Sequence, residues 1–144
     1  MNIYKKRFDE LSPLELYNIL KLRAEVFALE QEILYLDQDK IDFDCTHYFI
    51  QDDTGVYAYM RIIDKGVKYK NDYSFGRFCV RKDRRGKGLG RILMMEAIND
   101  FERTHIRISG QAYLKDFYIT LGFRQTSEPY MEEGITHIEF YYGK

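Results

Sequence analysis

"CVRKDRRGKGLGR", Cys79 to Arg91, sets apolar backbone, dense positive charge and bare glycine side by side. The apolar residues end at Val80. Arg81, Lys82, Arg84, Arg85 and Lys87 follow, and Gly86, Gly88 and Gly90 then occupy alternate positions at the start of an apolar-periodic segment. A strand entering a helix through such a turn aims several free backbone N–H groups at one point. The first four N–H groups of a helix have no internal partner, and the helix dipole adds about half a positive charge there. Glycine removes the Cβ that would hold an anion off the backbone. The ligand expected is a phosphate or pyrophosphate.

Three anion-binding patterns compete for this stretch. A Walker A loop needs Ser or Thr after Gly-Lys, but Gly88 follows Gly86-Lys87, and Arg81 stands where the first glycine belongs. The dinucleotide fingerprint Gly-x-Gly-x-x-Gly fails on spacing, since the three glycines alternate. The third pattern, Gln/Arg-x-x-Gly-x-Gly/Ala, is matched in full by Arg85-Gly86-Lys87-Gly88-Leu89-Gly90.

The rest of the chain frames this loop. Its 144 residues suit one domain with a true core, and 45% apolar with 31% charged residues is an ordinary globular mix. No apolar run approaches a membrane span, and "MNIYKKRFDE" lacks a signal-peptide core. Two cysteines, Cys45 and Cys79, make no disulfide framework, so a reducing cytoplasmic location is expected. The net charge of −1 hides two runs of opposite sign. Residues 25–53 hold nine acids against Lys40 alone, whereas residues 77–91 hold seven bases against Asp83 alone. This division predicts a bipolar molecule, with a pole for an anion and a pole for a cation. Asp37, Asp39 and Ile41 do not make a calcium loop, because Ile41 takes a ligand position and the glycine is missing. No metal is expected.

Residues 3–8 alternate as a first strand. Ser12, Pro13 and Glu15 form a capping box with proline at N1, opening a helix of roughly four to five turns with Leu16, Ile19, Leu20, Val26 and Phe27 on one side. "THYFIQ" and "GVYAYMRII" predict a hairpin around "DDTG", and 73–80 a strand with a bulge near Gly76. After the loop, Leu93, Ala97 and Phe101, flanked by Met94 and Ile98, predict an amphipathic helix whose other side carries Arg91, Glu96, Asn99 and Glu102. A strand ("HIRISGQA"), a short helix stopped by Gly122 and a last strand ("THIEFYY") complete a β-α-β-β-β-α-β-α-β order.

The loop with its flanking elements resembles the acetyl-CoA-binding motif of the GNAT superfamily of N-acyltransferases. "FYITLGF", Phe117 to Phe123, resembles that family's second hallmark, and the element order matches nearly the whole chain. "LRAEVFALEQ" (22–31), "YLDQDKID" (35–42), His47, "FGRFCV" and "EEGITHI" (132–138) resemble its ElaA-like branch, with Thr136 where proline is usual. The resemblance implies a single GNAT domain over 1–144 with an α/β (α+β) acyl-CoA N-acyltransferase fold. It would be a mixed, mostly antiparallel sheet with helices on both faces and parallel strands 73–80 and 105–112 splayed apart.

It further implies an acetyltransferase using acetyl-CoA as cosubstrate and a small-molecule or peptide amine as acceptor. Neither nucleic acid nor membrane takes part, and a homodimer is compatible. Backbone groups of Phe78, Cys79 and Val80 would bind the pantetheine arm as an added strand does. Those of Arg85, Gly86, Lys87, Gly88, Leu89, Gly90 and Arg91 would hold the pyrophosphate, with Lys82, Arg84, Arg85 and Lys87 facing the remaining phosphate charge. Tyr118 would be the general acid for the departing thiolate.

An alkyl amine of pKa ~10.4 is overwhelmingly protonated at neutral pH, so something must take its proton. Glu30 and His47 lead the candidates, with Tyr35 and Asp37 beside them. Cys79 could suggest a covalent route, but a strand cysteine serves as a small buried hydrophobe and the family transfers directly in a ternary complex. Two other classes stand beside this reading: a non-catalytic CoA-binding or regulatory module on the same fold and, more remotely, a P-loop-like nucleotide enzyme.

Overall fold

The computed structural model describes residues 1–32, 34–101 and 105–143. Glu102, assigned above to the outer side of a helix, lies outside them.

Two antiparallel sheets meet at one point. β1 (Tyr4–Arg7), β2 (Cys45–Asp52), β3 (Gly55–Ile63) and β4 (Ser74–Val80) pair in chain order. β5 (Ile106–Gln111) pairs with β8 (Ile135–Tyr142), which also takes the short β6 (Arg124–Gln125) and β7 (Tyr130–Glu132). The sheets are joined through Tyr73, parallel to Ile106. Tyr73 N–H donates to His105 O at 3.0 Å, and Arg107 N–H to Tyr73 O at 2.9 Å. Beyond that pair no ladder links β4 to β5 among the described residues, so the two strands diverge. The expected splay is therefore present. The strands β6 and β7, absent from the predicted order, are too short to leave a periodic signal.

Helices cover both faces. α1 (Pro13–Arg23) starts on the predicted box: Glu15 N–H donates to Ser12 Oγ at 3.0 Å, and Ser12 N–H to Glu15 Oε1 at 2.9 Å. The rod continues as a π-helical stretch, Ala24–Glu30, which apolar spacing did not announce. Ile19, Leu22 and Val26 pack on Phe49, Val56, Tyr59 and Cys79. On the opposite face α2 (Leu89–Asp100) buries Leu93, Met94, Ala97 and Ile98 against Tyr48, Ile50, Ala58 and Met60. α3 (Lys115–Thr120) joins that core through Tyr118. Among the described residues no helix is long and apolar enough to cross a membrane.

β4 carries the expected bulge one residue past Gly76. Arg61 pairs with Gly76 but Tyr59 with Cys79, so two residues of β4, Arg77 and Phe78, oppose Met60. Arg77 absorbs the irregularity at φ +50°. Phe75 and Phe78 consequently share the α2 face, which an unbroken strand would forbid.

Candidate active site

The divergence of β4 from β5 opens a cleft of about 1100 Å³, lined at one end by the glycine turn and at the other by residues of both sheets and the segment 35–41. Its walls include Phe78, Cys79, Val80, Arg85, Gly86, Gly88, Leu89, Gly90, Arg91 and Tyr118. Residues chosen forty positions apart thus meet in one space.

At the turn end, Gly86 and Gly88 adopt φ +82° and +72°, and an added Cβ on either would meet nothing within 4 Å. Open space lies over this backbone, and Gly88 is the N-cap of α2. Both features fit an anion seated on the turn. Gly90 has a different reason to be glycine: its Cβ would fall 2.1 Å from Phe78 Cζ, so the residue admits the Phe78 ring rather than a phosphate. Lys82 and Lys87 are exposed and do not line the cleft, whereas Arg84, Arg85 and Arg91 do.

The two charge runs do not form two poles, which corrects the bipolar reading. They pair with each other: Arg85 with Glu30 at 2.8 Å, Arg84 with Asp52 at 2.6 Å, and Arg77 with Asp37 at 2.8 Å and Asp39 at 3.4 Å. Asp37 and Asp42 also bind Arg23, each at 2.8 Å, and Asp39 and Asp42 bind Arg61 at 2.6 and 3.0 Å. Arg23 is 1% exposed and Arg61 3%. Burial works against the charged Asp42 carboxylate, but Arg23 and Arg61 hold it below the usual range; the same balance, through Arg61 and Arg77, lowers Asp39. The acidic stretch is therefore a clasp that fixes the segment 35–42 as a cleft wall. Sequence reasoning missed it because its arginines come from α1, β3 and the β4 bulge.

The candidate bases separate. Glu30 lines the cleft, but its carboxylate is held by Arg85, whose Nε–H donates to Val80 O at 2.9 Å; it sits at the turn end. Asp37 is bound by two arginines. Tyr35 lines the cleft beneath the Arg77 guanidinium, and burial raises its phenol. His47 does not line the cleft. It is 1% exposed, its Nδ1 accepts from the Tyr59 hydroxyl at 2.6 Å, and its Nε2–H donates to Asp42 O at 3.0 Å. Burial keeps it neutral with both nitrogens occupied, so it supports the clasp instead of facing a substrate.

Tyr118 lies over Gly110: an added Cβ there would come within 2.5 Å of its Cε2. Its ring packs among Phe117, Phe123 and Phe140, and among the described residues nothing hydrogen-bonds its hydroxyl. Burial pushes the phenol up to about 12, so it holds its proton at neutral pH. Cys79 is buried against α1, and burial raises its thiol, which keeps it from being a thiolate. Among the described residues no group of three or more His, Cys, Asp or Glu could hold a metal ion.

Residues 35–142 match the family model for an acetyltransferase (GNAT) domain. The chain is 36% identical over 138 residues to a UPF0039 protein of Synechocystis, covering 92% of this chain and 89% of that protein. It is 34% identical to protein ElaA of Escherichia coli, covering 90% and 88%. Among solved structures, an acyl-CoA N-acyltransferase from Pseudomonas aeruginosa superposes with a TM-score of 0.92 at 32% identity, covering 99% of this chain and 100% of that one.

Proposed function

The chain belongs to the GNAT acetyltransferase family and resembles its ElaA members, and from that premise we propose that it moves an acetyl group from acetyl-CoA to an amine by direct attack in a ternary complex. The observation that carries this reading is the conjunction in one cleft of splayed strands, an open glycine turn at a helix N-terminus and a buried tyrosine over Gly110.

In this reading the free edge of β4 at Phe78–Val80 binds the pantetheine amides as a neighbouring strand would, and the backbone of Arg85–Arg91 holds the pyrophosphate. Arg85 exchanges Glu30 for phosphate oxygens. The amine nitrogen attacks the thioester carbon, the C–S bond breaks, and the sulfur leaves toward the Tyr118 hydroxyl. A phenol raised by burial gives up its proton reluctantly to a thiolate of pKa ~8.5, so Tyr118 acts chiefly by donating a hydrogen bond as charge builds on sulfur. The protonated Cys79 thiol favours direct transfer over an acetyl-cysteine intermediate.

The experiment is incubation with acetyl-CoA and a metabolite and peptide extract, with acetylated products sought by mass. Amine acetylation that requires the protein supports the reading. Tight CoA binding with no acetylated product would instead indicate a non-catalytic CoA-binding module.

A further inference from the structure

The motif "EEGITHI" has no part in the chemistry above, yet Glu132, Glu133, Ile135 and His137 all line the cleft. They come from the β7–β8 hairpin, which brings them beside Ser109 of β5. Tyr130 OH meets Ser109 Oγ at 2.5 Å, and Ser109 Oγ donates to the two Glu132 carboxylate oxygens at 3.2 and 3.3 Å. Because the Ser109 proton is given to Glu132, the Tyr130 proton is given to Ser109: a directed relay that ends on the carboxylate. His137 stands on the other side of it. Its Nδ1–H donates to Ile135 O at 2.8 Å, which turns Nε2 toward Glu132 Oε2 at 3.4 Å. With Nδ1 donating to Ile135, the lone pair of Nε2 faces the carboxylate, and a proton placed between the two atoms would bond to both.

Its position is equally specific. Ser109 and Gly110 are consecutive in β5, so they face opposite sides of the sheet. Tyr118 covers Gly110 on the α2 side, and Glu132 lies on the Ser109 side. A carbonyl held between the strands would meet a proton acceptor on one side and a hydrogen-bond donor on the other. The charge agrees. Glu30 and Asp39 are tied to arginines, whereas no arginine or lysine comes within 4 Å of Glu132 or Glu133 among the described residues; Lys68, which also lines the cleft, meets the charge of Glu132 only at longer range.

Resting on the acetyltransferase reading, we propose that Glu132 takes the proton from a cationic acceptor amine, with His137 sharing that proton and Ser109 orienting the carboxylate. One proton passes from the ammonium to the Glu132–His137 pair. The neutral nitrogen then forms the C–N bond as the C–S bond breaks, and the second nitrogen proton ends on the departing sulfur by way of Tyr118 or water. Glu132 touches the substrate; His137 and Ser109 are positioning residues. The attraction for a cation thus lies in the 130s, not in the clasped acids of 25–53.

The test compares two probes at pH 7 with acetyl-CoA, following thiol release: phenethylamine, which is protonated, and 4-methylaniline, which is not. Glu132→Gln is expected to lower kcat/KM for phenethylamine roughly 10²-fold or more and that for 4-methylaniline by less than about threefold, with CoA affinity unchanged. His137→Gln and Ser109→Ala should reproduce the same split at about tenfold. Glu132→Asp, which keeps the charge but retracts it, must show the split too and serves if Glu132→Gln misfolds. Equal losses for both amines, or none, would overturn the assignment while leaving the acetyltransferase reading intact. A wild-type protein that binds acetyl-CoA and transfers neither to these amines nor to any amine of the extract overturns both.

Discussion

The two ends of the cleft are built by different rules. At the turn end, the recognition proposed above is by backbone: one contiguous stretch, Arg85–Arg91, presents N–H groups whose direction follows from a strand, glycines and a helix start. At the far end, the proposed recognition is by side chains that four separate segments supply: the clasped 35–42, Arg61 and Lys68 around β3, Ser109 of β5, and Glu132 and His137 of the β7–β8 hairpin. Backbone sites can be read from local sequence. Side-chain sites exist only once the topology has brought their parts together. The charges differ in the same sense, since Arg84 and Arg85 at the turn are already paired with acids, whereas no arginine or lysine lies within 4 Å of Glu132 among the described residues.

The strongest way to break the far end alone is to open the clasp. Asp42→Ala leaves Arg23 and Arg61, both nearly fully buried, short of a counter-ion and should cost about 3–5 kcal/mol in denaturant titration. If only an exposed pair's worth is lost, the network is not what holds the 35–42 wall. Tyr118→Phe probes the middle of the cleft. Steady-state kinetics should show kcat down by about 10²-fold, the low end of acid assistance because the phenol is raised by burial, with CoA affinity near normal.

How much of this was legible in the sequence follows the same division. The Ser12–Glu15 box, the amphipathic α2, the glycine turn and the helix stop at Gly122 depend on neighbours within a few residues, and each is where local pattern put it. The opposing charge runs were visible but misleading: composition counts carboxylates without revealing that arginines 14 to 55 positions away neutralise them. His47 looked like a base because its type suits the task, yet its strand register turns it inward to Tyr59. Ser109 and Glu132 went unread for the same physical reason in reverse. A lone serine on one strand and a glutamate ending another carry no chemistry until β5 and the β7–β8 hairpin bring them within hydrogen-bonding distance.

A smaller effect separates His47 from catalysis. Burial keeps its imidazole neutral below its ordinary value, so the unfolded chain binds the extra proton. Stability should therefore fall as the pH drops below about 6.5. The Asp39 and Asp42 contribution is present above about pH 4 and is lost below it, because their folded values are lowered. Melting curves of the wild type and His47→Gln between pH 7.5 and 5 should show the first slope flattened in the variant; parallel curves would mean His47 is not the titrating group.

The smallest effect sharpens the turn end. Glu30→Gln frees Arg85 from a partly exposed pair, so it should tighten CoA binding by at most about fivefold at low salt and leave kcat nearly unchanged. A large loss of kcat would restore Glu30 as the base.

The most direct measurement of the whole account is an amide-resolved NMR titration of the wild-type protein with CoA. The largest shifts should fall on Arg85–Arg91 and Phe78–Val80, with Glu132–His137 moving little until an amine is added. Shifts concentrated on Glu132–His137 with CoA alone, or none in the glycine turn, would contradict the division of the cleft into a backbone end and a side-chain end.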